Sequence, residues 1–167
     1  MDLSRLARAA AAYDAGDPRR VHHFLKVYAL CHLIGPLEGL TAAEQEVLDA
    51  AALLHDIGIH NAEHKFGCNN GKLQEAEGPA VARPMLTAVG ATREQIDAAC
   101  WLIAHHHTPG ASEEKPFRIL LEADFLVNAY EDGLKPDHCA TARGRIFRTD
   151  TGRAYLDAFC LTPRPPL

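Results

Sequence analysis

Along most of the chain the apolar positions recur every three or four residues, which is the period of one face of an α-helix. The opening segment, MDLSRLARAAAAYDAGDP, is Ala-rich and amphipathic, with Asp2, Arg5, Arg8 and Asp14 among its polar positions. Asp17-Pro18 is a helix N-cap followed by proline at the first helical position. The segment from Arg19 then places Val21, Phe24, Leu25, Tyr28 and Cys31/His32 at three-to-four spacing, and Gly35-Pro36 is expected to stop it. Thr41-Ala-Ala-Glu44 is a capping box, and Val47, Leu48, Ala51, Leu54 and His55 follow on one face up to Gly58. The polar stretch from His60 to Lys72 reads as loop. Glu75 to Val89 is helical in pattern, with Pro79 expected in its first turn and Pro84 expected to kink or weaken it. A second capping box, Thr92-Arg-Glu-Gln95, opens a helix carrying Ile96, Cys100 and Ile103, which Thr108-Pro109-Gly110 ends. Phe117 to Glu131 is a further apolar helix closed by Gly133, Thr149 to Leu161 is a last one, and PRPPL is expected to fray. Alternating apolar and polar runs rich in β-branched residues are missing, so no strand is predicted. The expected fold class is all-α, a bundle of about six or seven helices in one domain over residues 1–167, without internal repeat or linker.

Composition narrows this picture. A chain of 167 residues suits one domain and is long enough to bury a core without staples. Hydrophobic residues at 47% and charged residues at 23% are ordinary for a globular protein and exclude a disordered one. Lys plus Arg is 17 against 22 for Asp plus Glu, a formal charge of −5. That balance argues against nucleic acid as a partner and leaves a small anionic ligand open. The five cysteines are spread out with no CxxC pair, the pattern of reduced thiols in a cytosolic protein. No run approaches the roughly 18 apolar residues of a membrane span, so no membrane partner and a soluble, cytoplasmic protein are expected. Oligomeric state is open. The ten histidines are the unusual feature.

His55-Asp56 sits where an apolar helix ends, in ALLHDIG. Adjacent residues there turn toward one cleft more readily than both face a packed core, and imidazole with carboxylate is a ligand set for a catalytic divalent metal. The alternative is a structural His-Asp pair at a helix C-terminus. His23 lies on the stripe of Val27 and Cys31, facing inward, whereas His22 is rotated by about 100° toward solvent. Asp124 lies among Leu120, Leu121, Phe125 and Leu126, and a buried carboxylate needs a cation, an Arg or a cap. Glu122 has the same need on a different face. In the run His105-His106-His107, His106 follows Ile103 by three positions and His107 by four, so one of them faces the interior, with His106 preferred over His107 and His105 least favoured.

Taken together, DPRRVHHFLKV (17–27), LLHDIG (53–58) and LLEADFLVNA (120–129) resemble the HD superfamily of metal-dependent phosphohydrolases, whose pattern is H…HD…D. The resemblance covers roughly residues 18–132, leaving 133–161 as a helical C-terminal extension. It maps the metal ligands onto His23, His55, Asp56 and Asp124. It implies an all-α fold with the metal between central helices, and hydrolysis of a small phosphate ester or nucleotide by metal-activated water. The implied cofactor is a divalent ion (Mn, Fe, Co, Zn, Ni or Mg), one or two in number, with Asp56 and His106 as the catalytic residues. The segment Glu77-Gly78-Pro79 followed by HHHTPG (105–110) partly resembles the dinuclear members that cleave diadenosine tetraphosphate, which carry His-Gly-Pro and His-Thr there. Glu77 stands where those members have His, so Glu77 and His106 are the candidates for a second metal, with a helix-start role the alternative for Glu77. Many relatives read HDIGK, where Ile59 stands here. Substrate phosphate would then fall to His60, Lys72 or His107, with His64, Lys65 and Arg118 further candidates. Two rival functions are an HD-fold di-iron oxygenase and a non-catalytic metal- or nucleotide-sensing domain.

Overall fold

Side-chain caps set most helix starts. In the computed structural model, which describes residues 1–162, α1 (Leu3–Tyr13) is capped by Asp2 and α2 (Pro18–Leu37) by Asp17, each carboxylate accepting a backbone N–H three residues on. Both capping boxes form, at the starts of α3 (Ala42–Leu54) and α6 (Arg93–Ile103). The remaining helices are α4 (Ile59–Phe66), α5 (Gly71–Ala88), α7 (Lys115–Glu131), α8 (Pro136–Arg145) and α9 (Asp150–Leu156), which runs into a π-helical turn, Asp157–Leu161. The fold is all-α, with no strand among the described residues. No helix of the described residues is long and apolar enough to cross a membrane. The PRPPL tail lies outside them.

Among the described residues, nine helices and a π-turn exceed the expected six or seven, and the differences have local causes. The stretch expected to be loop contains α4, because Ile59 and Ala62 lie one turn apart and are both buried, and Gly67 closes the helix in a left-handed conformation. α5 starts at Gly71 because the Asn70 side chain accepts from Leu73 N at 3.1 Å. Pro79 therefore lies inside the helix and not in its first turn. Neither Pro79 nor Pro84 ends it, since α5 is held along its length by α4 and α6. α2 continues through Gly35-Pro36 to Leu37, where the Glu38 N–H still reaches Ile34 O at 3.0 Å. α8 escaped the periodicity because only Cys139 and Ala142 are buried in it.

α3 is the axis of the bundle. Every residue from Leu48 to Leu54 is buried, where one apolar face was expected, because α1, α2, α5, α6 and α7 all pack against it. Three consecutive alanines, Ala50 to Ala52, let those neighbours approach on all sides. Its buried Asp49 is satisfied by Gln45 Nε2 at 2.6 Å and His32 Nδ1 at 2.8 Å. Glu122, wholly buried on α7, is satisfied as a cap: its carboxylate accepts the Thr149 N–H at 2.9 Å at the start of α9 and bonds the Thr149 hydroxyl. Its need is thus met without a metal. A second small cluster of Leu126, Ala129, Cys139, Ala142, Phe147 and Leu156 ties the C-terminal helices to α7.

The turn after α3 is pressed against α5 by two glycines. A Cβ on Gly58 would lie 2.6 Å from Gln74 O and from Gly78 N, and one on Gly78 would lie 2.6 Å from Ile103 Cγ2. This contact explains Gly78 of the 77–79 segment as packing. Gly58→Ala should therefore destabilise the protein by about 1–3 kcal/mol, the usual cost of overpacking. Thermal unfolding of parent and variant checks this, and an unchanged midpoint would mean that the crossing relaxes freely.

Candidate metal centre

Three helix segments bring the predicted ligands together. His23 comes from the middle of the first half of α2, His55 and Asp56 from the turn that ends α3, and Asp124 from α7. His23 Nε2 lies 3.2 Å from His55 Nε2 and 3.2 Å from Asp124 Oδ1. Asp56 Oδ2 lies 3.6 Å from His23 Nε2 and 3.5 Å from His55 Nε2. The other oxygen of the same carboxylate faces a second group: Asp56 Oδ1 is 3.3 Å from His106 Nε2 and 4.0 Å from His107 Nε2. Among the described residues two sets of metal-capable donors result, His23/His55/Asp56 and Asp56/His106/His107, sharing Asp56. Asp124 borders the first, its Oδ1 held by Asn128 Nδ2 at 2.9 Å.

The imidazoles are oriented from behind. His55 Nδ1 donates to Ala52 O at 2.9 Å and His106 Nδ1 to Ile103 O at 2.7 Å. His23 Nδ1 meets the Glu131 carboxylate at 3.0 Å. Acceptors at all three Nδ1 atoms place the proton there and leave each Nε2 lone pair facing the centre. Two such lone pairs 3.2 Å apart, as at His23 and His55, require a proton or a metal ion between them. α3 and α6 also end at the site, so the negative ends of both helix dipoles favour a cation. Nitrogen and carboxylate donors without a thiolate suit a divalent first-row ion or a harder one. The residues present fit a metal.

The charges follow from this crowding. Burial pushes the His55 imidazolium toward deprotonation, but Asp56 and Asp124 outweigh it and raise its pKa to about 9. Burial opposes ionisation of Asp56, yet His55 and His106 bring it down to about 2. Asp124 is likewise held well below the usual carboxylate range, with His23 and His55 overcoming its burial. His107 is shifted the other way: burial and the neighbouring His106 lower its pKa.

The other candidates are placed differently. Glu77 pairs with Lys65 Nζ at 2.6 Å and belongs to neither donor set. The early start of α5 instead presents Gln74 and Glu75 to the site: Gln74 Oε1 is 2.6 Å from His107 Nε2, and Glu75 accepts the His107 N–H at 3.0 Å and the Thr108 hydroxyl at 2.7 Å. Lys72 is bound by Glu75 and Thr108 at 2.9 and 2.6 Å. His60 Nε2 lies 3.1 Å from Asp14 Oδ1. His105 turns away to stack on Trp101, ring centroids 4.3 Å apart. Arg118 is buried beside Glu113, and His64 and Lys65 are exposed. Beside the donors lies a cleft of 470 Å³, with Arg19, Arg20, Asn69, Gln74 and Asn128 in its walls. The sequence reading passed over Asn128 and Glu131, although they stand four and seven positions after Asp124 on one helical face. It passed over Arg20 as well, three positions before His23.

Without metal, His55 couples this site to stability. A group whose pKa rises on folding from its ordinary 6.5 to about 9 adds stability in full below pH 6.5 and loses it as pH climbs through 9. The metal-free protein should therefore lose on the order of 2 kcal/mol between pH 7 and 10 through this residue. Denaturant unfolding of chelator-treated parent and His55→Gln measures it, and equal slopes for the two against pH would refute the assignment.

The comparisons with known proteins agree with this architecture. The family model described as HD domain matches residues 20–142. A crystal structure of a predicted HD superfamily hydrolase from an uncultured Thermotogales bacterium superposes with a TM-score of 0.64, at 24% identity, over 95% of this chain and 83% of that one. At that identity the likeness speaks for the fold. No curated protein matches the chain. The family match spans the segment that carries all four residues of the H…HD…D pattern, and the chain belongs to the HD-domain family.

Proposed function

We propose that the chain is a metal-dependent phosphohydrolase acting on a small phosphate ester or nucleotide. Membership of the HD-domain family and the hydrolase neighbour support metal-dependent hydrolysis in general. The observation that carries the finer reading is the division of Asp56: one oxygen faces His23 and His55, the other His106 and His107, beside a cleft whose walls carry Arg19 and Arg20 together with Asp14, Asp17, Glu131 and Asp132.

In this reading His23, His55, Asp56 and Asp124 hold one ion, and Asp56, His106 and His107 hold a second. A bound divalent ion supplies a Lewis acid for a phosphoryl oxygen and lowers the pKa of water to near neutrality. The chain's own residues do the rest. Asp56 Oδ1 and His106 Nε2, 3.3 Å apart, are placed to take and return a proton when the second position holds no ion. Arg20 spends Nε on Asp17 at 3.2 Å and Nη2 on Glu63 at 2.7 Å, while Nη1 has no partner among the described residues. That nitrogen is itself buried, so Arg20 would meet a phosphate oxygen by releasing Glu63 and turning its guanidinium into the cleft, a role Ile59 cannot serve at the position where related sequences carry lysine. His107 reaches the second set by giving up Gln74, so Gln74 is a competitor for its Nε2.

Protein stripped of metal and reloaded with Mn²⁺ or Co²⁺ should hydrolyse phosphomonoester or phosphodiester reporters, or members of a nucleotide panel, and Asp124→Ala should fall to background. Arg20→Ala should raise KM about tenfold or more, the loss of a charge-assisted hydrogen bond of roughly 1.5–3 kcal/mol. A panel on which parent and Asp124→Ala do not differ would overturn the phosphohydrolase reading.

The number of ions is tested separately by metal analysis. The parent should bind two, His106→Ala should keep the first and lose the second, and Glu77→Gln should keep both. Loss of the second ion in Glu77→Gln alone would return that carboxylate to the ligand set.

A further inference from the structure

His23 differs from the other imidazoles of the centre in what holds it. His55 and His106 are pinned by backbone carbonyls of their own helices, whereas His23 Nδ1 is pinned by a carboxylate from another helix, Glu131 Oε2, at 3.0 Å. Glu131 is the last residue of α7, and its side chain is only 10% exposed. Its second oxygen is bound by Lys26 Nζ, one turn after His23 on α2. Lys26 in turn lies over the Tyr130 ring, 5.7 Å from its centroid. The carboxylate is therefore fixed at both oxygens and cannot rotate away from the imidazole.

We infer that Glu131, clamped by Lys26, is the positioning residue that makes His23 a metal ligand. The inference rests on the assignment of His23, His55, Asp56 and Asp124 as a metal site. A carboxylate oxygen only accepts, so it holds the proton on Nδ1 and keeps the Nε2 lone pair toward His55 and Asp124. It also adds negative charge behind the ring, which makes the imidazole a stronger donor. A backbone carbonyl does the first and supplies less of the second. The same contact joins the end of α7 to α2, the two helices that supply Asp124 and His23. Asp124, Asn128 and Glu131, at spacings of four and three, thus form one functional stripe: a ligand, the amide that holds it, and the carboxylate that holds the opposite ligand.

The test uses full-length protein, with metal affinity as its readout. Stripped parent, Glu131→Ala and Glu131→Gln are titrated with Mn²⁺ and Co²⁺, and the metal-free unfolding midpoint of each is measured. Glu131→Ala should weaken the tighter site about 10–100-fold, the range seen when a carboxylate behind a metal-bound histidine is removed. Glu131→Gln keeps an acceptor oxygen for Nδ1 and should recover part of that loss. Lys26→Met frees the carboxylate and should weaken binding less than Glu131→Ala does. Binding by Glu131→Ala equal to the parent would overturn the inference. So would a loss accompanied by an equal fall in metal-free stability that Gln does not relieve, since that pattern belongs to a purely structural contact. A parent that binds neither ion would instead overturn the metal assignment, with the Glu131 variants then no different from it.

Discussion

The bundle depends on α3 being buried on every side. The second half of α3, Leu48–Leu54, has no solvent-facing side on which to carry chemistry, so polar groups gather where that half ends. His55 and Asp56 stand at that end, in a turn whose backbone is free to aim two consecutive side chains at one cleft. The alanines of α3 permit the close approach of α2 and α7, and that approach brings His23 and Asp124 to within 3.2 Å of each other. A bulkier α3 would push His23 and Asp124 apart before it altered either of them.

Electrostatics makes the same point in another form. Six ionisable groups, His23, His55, Asp56, His106, His107 and Asp124, share this crowded site, and a charge on any one of them needs the others. In the metal-free state the carboxylates of Asp56 and Asp124 hold a proton on His55, raising its pKa to about 9. The cluster is therefore arranged around positive charge whichever cation supplies it. Helix ends contribute in the same direction, because α3 and α6 both end at the centre, and a carbonyl near each end, Ala52 O and Ile103 O, orients His55 and His106 from behind.

The contrast between Glu122 and Asp124 shows how one helix sorts its acids. Both are buried on α7, two residues apart and hence on different faces. Glu122 accepts the Arg148 and Thr149 N–H groups just before α9, whereas Asp124 meets the imidazoles of His23 and His55. Composition alone does not separate these fates; the element packed against each face does.

The helical class, the capped starts of α2, α3 and α6, and the four residues of the H…HD…D pattern were legible in the sequence, because each rests on local chemistry or on short spacing. The all-round burial of α3 was not, since a single periodic face is all that one strand of sequence can display. Nor was α4, whose one buried turn is too short to register as a period. Glu77 shows the same limit at the site itself. The resemblance of Glu77-Gly78-Pro79 to a His-Gly-Pro segment makes Glu77 a candidate ligand, but the start of α5 after Asn70 pairs it with Lys65 and brings Gln74 and Glu75 against His107 instead. Which of three adjacent histidines faces inward, and which acid stands behind His23, are likewise decided by contacts between segments as many as 108 residues apart. Local pattern determines what kinds of donors the chain offers, and packing alone determines which of them meet.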